Sequence, residues 1–174
     1  KVLTLEDGEL VVQKNESLKT FNFNHLSNKK KEIFFQLKNV TNHYKDEDVI
    51  LQDLTLDIPK YEVTGIIGHS GAGKTTLAKI LSGFIPYEGR IKIEGKELRE
   101  VLAHEKQCYY RRVQYLFQNS LLTFNPNQTI LKSLEEPLRF MRKIKKHPER
   151  IQMIQDLFIK LELEFDWLEK YPHQ

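Results

Sequence analysis

The spacing of apolar and polar positions changes along this chain, and the change divides it into parts. Val2-Leu3-Thr4-Leu5 and Leu10-Val11-Val12 are short apolar runs separated by Glu6-Asp7-Gly8-Glu9. The Asp-Gly pair predicts a β-hairpin, because the tightest hairpin turn needs left-handed backbone angles at both central residues. Residues 13–31, rich in Asn, Ser and Lys, read as a linker, with Phe21 and Phe23 marking a part that packs on a neighbour. Strand candidates follow at residues 33–40, 49–58 and 62–67, the last running straight into a Gly-rich turn. Residues 74–81 then read as a helix whose apolar face is Leu77, Ala78, Ile80 and Leu81. Gly83 sits where a helix C-cap belongs, with Pro86 just beyond. Residues 89–94 form another strand candidate closed by Gly95, and residues 113–117 a compact apolar one. After that the spacing becomes helical, over residues 129–140 and 148–161. In the second helix Pro148 lies near the start, and Ile151, Ile154, Leu157, Phe158 and Leu161 share one stripe.

Composition narrows the class without naming it. With 174 residues, 40% hydrophobic and 29% charged, the chain suits one soluble globular domain or a little more. A formal net charge of +3 is too mild to imply nucleic acid as a partner. The single Cys108 excludes a disulfide framework and a cysteine-based zinc site, and is read as buried or incidental. The six histidines are scattered, so a dedicated metal site is not expected. No apolar run approaches the roughly 20 residues that span a bilayer, so a membrane connection would come through a partner. The chain starts without Met and stops at Tyr171-Pro172-His173-Gln174, which reads as a piece cut from something longer.

Chemistry concentrates at Gly68-His69-Ser70-Gly71-Ala72-Gly73-Lys74-Thr75, a full match to G-x-x-x-x-G-K-[ST] with a strand before it and a helix after it. Gly71 and Gly73 can take backbone angles closed to other residues, which lets successive N–H groups converge on phosphate oxygens. Lys74 supplies a point charge to the β- and γ-phosphates, Thr75 a hydroxyl for Mg²⁺, and Thr76 a bond to the α-phosphate. His69 and Ser70 occupy variable positions that act through their backbone. An ordinary Gly-rich turn is a poor alternative, since it has no need of Lys-Thr after its last glycine. The loop alone leaves kinases, GTPases and transport ATPases open.

The surrounding residues resemble one family. Tyr44 lies upstream of the strand pair leading to the loop, as does the aromatic platform on which ABC ATPases stack adenine; a half-buried strand-end tyrosine is the simpler alternative. Gln118 follows the strand candidate Val113-Gln114-Tyr115-Leu116-Phe117, like the glutamine loop of that family. Asn125-Pro126, Thr129-Ile130 and Glu135-Glu136-Pro137-Leu138 are similar to its peptide and nickel importer branch, although Asn119-Ser120 replaces the usual Asp-Pro and Thr123-Phe124 the usual Ser-Leu. Tyr171-Pro172-His173-Gln174 matches the stretch that, in that branch, directly precedes the signature motif.

The resemblance implies an α/β P-loop core with a flanking antiparallel β-layer and an incomplete helical subdomain. It implies ATP and Mg²⁺ as ligands, with Tyr44 and residues 68–76 binding nucleotide and Lys74 and Gln118 serving catalysis. Thr75 and Gln118 would hold Mg²⁺. The implied partners are membrane permease subunits and a second ABC ATPase domain, and the implied place is the cytoplasmic face of the cell membrane. Transport of peptide or nickel would follow, with residues 119–129 facing the permease. The expected domains are residues 1–12 as the tail hairpin of a preceding cassette, 13–31 as linker, 32–118 as nucleotide-binding core and 119–174 as the start of the helical subdomain. For residues 1–12 a plain N-terminal arm is the alternative. The signature, Walker B and switch-histidine motifs of the family are absent from these residues, so the piece is expected to bind ATP rather than cleave it alone. A soluble ABC-type ATPase without a permease, or a regulatory nucleotide-binding fragment, are the alternatives to a transporter. The basic cluster Arg139, Arg142, Lys143, Lys145, Lys146 and Arg150 is expected to be a solvated face rather than a lipid or permease contact. Trp167 with Leu168 is expected to pack the helical part.

Overall fold

The computed structural model describes residues 2–11, 32–44 and 48–174. The expectations for residues 13–31, Phe21 and Phe23 included, lie outside the described residues. The chain forms two compact units, residues 1–113 and residues 114–174.

The first unit holds two sheets. In the smaller, β1 (Val2–Glu6) pairs antiparallel with β2 (Glu9–Val11) and parallel with β5 (Gly65–Ile67). Asp7 and Gly8 turn the hairpin with φ of 46° and 83°, the left-handed pair that the Asp-Gly dipeptide predicted. In the larger sheet, β3 (Ile33–Tyr44), β4 (Asp48–Pro59), β6 (Glu88–Ile93) and β7 (Lys96–Glu97) run antiparallel in the order β4-β3-β6-β7. Two helices, α2 (Leu98–His104) and α3 (Lys106–Arg112), follow it and went unforeseen in the sequence. Both are only seven residues long and show no sustained apolar stripe, so tertiary packing makes them. Leu5, Leu37, Val40, Leu51, Leu54, Leu77, Ile80, Ile91 and Leu98 are fully buried between these elements. Glu94 bonds Lys60 at 2.7 Å and also pairs with Arg112, tying the β6–β7 turn to the ends of β4 and α3. Hydrogen bonds from Lys60 and then Arg112 hold the Glu94 carboxyl below its ordinary value, and the same contact raises Lys60.

Helix α1 (Lys74–Leu81) starts at the last glycine of the loop, and Gly83 ends it with φ of 73° as expected. The buried Tyr109 hydroxyl donates to the Leu81 carbonyl at its C-terminal end, and burial pushes that phenol above its ordinary range. Two strand expectations need correcting. Residues 62–64 lie outside β5, because β1 offers partners only to Gly65, Ile66 and Ile67. Residues 113–117 are not a strand: they form no ladder with any described strand, and Leu116 is left 89% exposed.

The second unit is helical. Helix α4 (Ile130–Phe140) is capped by the Thr129 hydroxyl, which accepts from the Lys132 amide, and α5 (His147–Lys160) carries Pro148 in its first turn. Its core is Ile154, Phe158 and Leu168, with Ile130, Leu131, Leu134, Leu138 and Leu163 packed against them. The expected stripe on α5 is therefore narrower than read. Leu157 and Leu161 are exposed, and so is Trp167, while Leu168 does pack. Cys108, in the first unit, is exposed as well. The basic cluster is also not uniformly solvated. Arg150 is mostly buried, donates to Glu135 at 3.0 Å, and caps the carbonyls of Ile144 and Lys145 at 3.0 and 2.9 Å. No helix of the described residues is long and apolar enough to cross a membrane.

Candidate phosphate-binding site

The site is the connection from β5 to α1. Gly71 and Gly73 have φ of 88° and 87°, so the main chain turns twice through the left-handed region before α1 begins. A residue with a Cβ would be strained at either position. Gly73 is also crowded, since an added Cβ would lie 2.6 Å from the Leu51 side chain and 3.0 Å from the Ile50 carbonyl. Gly71 meets nothing within 4 Å. Ala72 is buried beneath the loop and its amide donates to the His69 carbonyl at 3.3 Å. The Lys74 ammonium turns back over the loop and donates to the carbonyls of Gly68 and His69 at 2.8 and 2.5 Å. The Leu77 amide closes the first turn of α1 on the Gly73 carbonyl at 2.8 Å, which leaves the amides at the helix start to face an anion.

Gly68, His69, Ser70, Gly71 and Thr75 are exposed, and Lys74 and Thr76 half-buried, so a ligand can reach the loop in this unit. The candidate residues 68–76 thus lie together on one connection, with all but Ala72 and Gly73 at least partly exposed. Tyr44 ends β3, its backbone paired with Asp48; its side chain is outside the described ones. Gln118 is exposed and belongs to the second unit, just before a 3-10 turn at Ser120–Thr123.

The sequence reading missed a ring of residues that hold the loop from behind. Asp7, at the hairpin turn, lies 3.1 Å from His69 Nε2, while His69 Nδ1 lies 2.8 Å from the Ser70 carbonyl. The Leu5 carbonyl approaches so closely that a Cβ on Gly68 would fall 2.1 Å from it. Gly68 has no left-handed φ, so close approach rather than torsion requires glycine there. No local signal in residues 2–11 announces this contact, since it depends on the pairing of β1 with β5.

Fold and loop together define an α/β P-loop nucleotide-binding protein. Residues 51–171 match the family model described as ABC transporter, and the chain belongs to that family. It is similar to the nickel import ATP-binding protein NikE of Escherichia coli, 30% identical over 126 residues that cover 72% of this chain and 47% of that one. It is similar too, at 30% identity over 142 residues, to a Brucella ovis protein provisionally named a peptide import ATP-binding protein, with 79% and 44% covered. The chain therefore spans about half the length of the curated relatives it matches. Among solved structures, a dimeric post-hydrolysis state of the ATP-binding cassette MJ0796 bound to ADP and Pi superposes with a TM-score of 0.67 at 29% identity, over 80% of this chain and 62% of that one.

Proposed function

We propose that this chain binds MgATP through residues 68–76 and is part of an ABC-type ATPase that powers import of peptide or nickel through a membrane permease. The observation that carries the proposal is the loop itself: two left-handed glycines, a free helix start and the Lys74 ammonium held over the same few residues. Amides and ammonium converging there give several charge-assisted hydrogen bonds of about 1.5–3 kcal/mol each, enough for micromolar binding. The Thr75 hydroxyl, at the exposed start of α1, is a hard oxygen donor of the kind Mg²⁺ accepts and fits as its ligand alongside phosphate, while a role for Gln118 rests on the family resemblance alone. Mg²⁺ there would neutralise charge between the β- and γ-phosphates. Tyr44 would stack the adenine, a contribution of about 1–3 kcal/mol.

Import and its cargo are read from the names of the relatives, NikE and the peptide import protein, and from Glu135-Glu136-Pro137-Leu138 in this chain. A second cassette as partner accords with the dimeric MJ0796 structure. With permease subunits as the other partner, the protein would lie at the inner face of the cell membrane, and residues 119–129 would be the permease-facing surface. For residues 1–12 two readings stand: a tandem parent whose preceding cassette ends in this hairpin, supported by the Glu6-Asp7-Gly8 turn, and an N-terminal arm of this unit, supported by the pairing of β1 with β5. The test is titration with a fluorescent ATP analogue and Mg²⁺. Lys74→Ala should weaken binding at least about tenfold, roughly 1.4 kcal/mol. Equal affinity of the two chains would refute the loop assignment.

A further inference from the structure

The hairpin β1–β2 is more than an appendage at the start of the chain. Leu5 is wholly buried and Leu3 nearly so, which seats β1 firmly beside β5. Three routes then run from the hairpin, directly or through β4, to the phosphate-binding loop. The Leu5 carbonyl closes on Gly68, where the loop leaves β5. The Asp7 carboxylate meets His69 at 3.1 Å. The Gly8 carbonyl accepts from the Gln52 amide at 3.2 Å, and a Cβ on Gly8 would lie 2.4 Å from the Ile50 carbonyl. Ile50 and Leu51 in turn are the residues against which Gly73 is packed. Three positions of the loop, Gly68, His69 and Gly73, are therefore set by the hairpin or by the β4 segment that the hairpin turn grips.

We propose that the hairpin is a positioning element of the nucleotide site: docked, it fixes both ends of the loop, and undocked, it releases them. Asp7 and Gly8 act through the loop and touch no ligand. The physical reason is preorganisation. A loop whose amides already converge loses less conformational freedom when phosphate binds than one that must first be ordered. The inference rests on the reading of residues 68–76 as the nucleotide site.

The experiment compares the full chain with Gly8→Val, which drives a branched side chain into the Ile50 carbonyl and so lifts the turn from β4. Amide hydrogen exchange without nucleotide is followed in three places: the hairpin, residues 68–73 and the β3–β6 ladder. Binding of a fluorescent ATP analogue with Mg²⁺ is followed in parallel. The expected result is faster exchange in hairpin and loop, an unchanged β3–β6 ladder, and binding weakened about fivefold or more. Fast exchange in the hairpin with loop exchange and affinity both unchanged would overturn the proposal. Should the parent chain bind no nucleotide, the proposed function fails while loop exchange still decides the coupling. Should Gly8→Val not fold, Asp7→Asn, which disturbs no packing, takes its place. Faster exchange at His69 and Ser70 then supports the coupling, and unchanged exchange refutes it.

Discussion

Glycines that look alike in the motif differ in what they must avoid. Gly71 is constrained by torsion alone, so Gly71→Ala should cost about 1–2 kcal/mol, a five- to thirtyfold loss of nucleotide affinity. Gly73 carries the same left-handed φ and in addition packs against Leu51 and Ile50. Gly73→Ala should therefore weaken binding further than Gly71→Ala, and titration of both with a fluorescent nucleotide compares them directly. Equal losses would mean that Leu51 does not crowd the loop. Glu94 carries a different expectation. Its carboxyl is held below the ordinary value by Lys60 and Arg112, so the stability it contributes is complete above the unfolded-state value near 4.5. That stability fades as pH falls from there through the lower folded-state value. Thermal melting from pH 7 down to pH 3 should show a shallower acid loss for Glu94→Gln than for the parent chain. The left-handed backbone at Gly71 and Gly73 was legible, because it belongs to the residue itself. Asp7 was not, because nothing near it in the chain mentions His69.

Elements with strong local signals formed where expected. The Asp-Gly turn, the Thr129 cap and Pro148 each settle a boundary through one residue's own torsion or hydrogen bond, so the hairpin, α4 and α5 were readable within a residue or two. Residues 113–117 show the opposite case, since apolar composition cannot supply the partner strand that a ladder requires. In the helical unit, Glu135 was noticed as part of a family motif, yet its work is structural. It accepts from Arg150 at 3.0 Å and contacts His147 at 2.8 Å, fastening α5 to α4. Removing it leaves a mostly buried guanidinium without its carboxylate, so Glu135→Ala should destabilise the helix pair by about 1–3 kcal/mol. Thermal melting followed by circular dichroism measures this, and an unchanged midpoint would show the contact to be dispensable.

For the molecule as a whole, family membership and the α/β P-loop fold agree with what the motif, its flanking strand and helix, and the Gln118 region led one to expect. Cargo is a different matter, because the residues that would select peptide or nickel are not identified by a phosphate loop common to many ATPases. The loop's left-handed glycines and the turn and cap positions could be read along the chain, since backbone torsion and short-range hydrogen bonding are decided by residue type and near neighbours. Folding alone decided that β1 lies parallel to β5, that Gly68 must be glycine because the Leu5 carbonyl is there, and that Arg150 faces inward to Glu135. Those facts join residues far apart in the chain. Steric exclusion and the pairing of buried polar groups act only once such residues have been brought into contact.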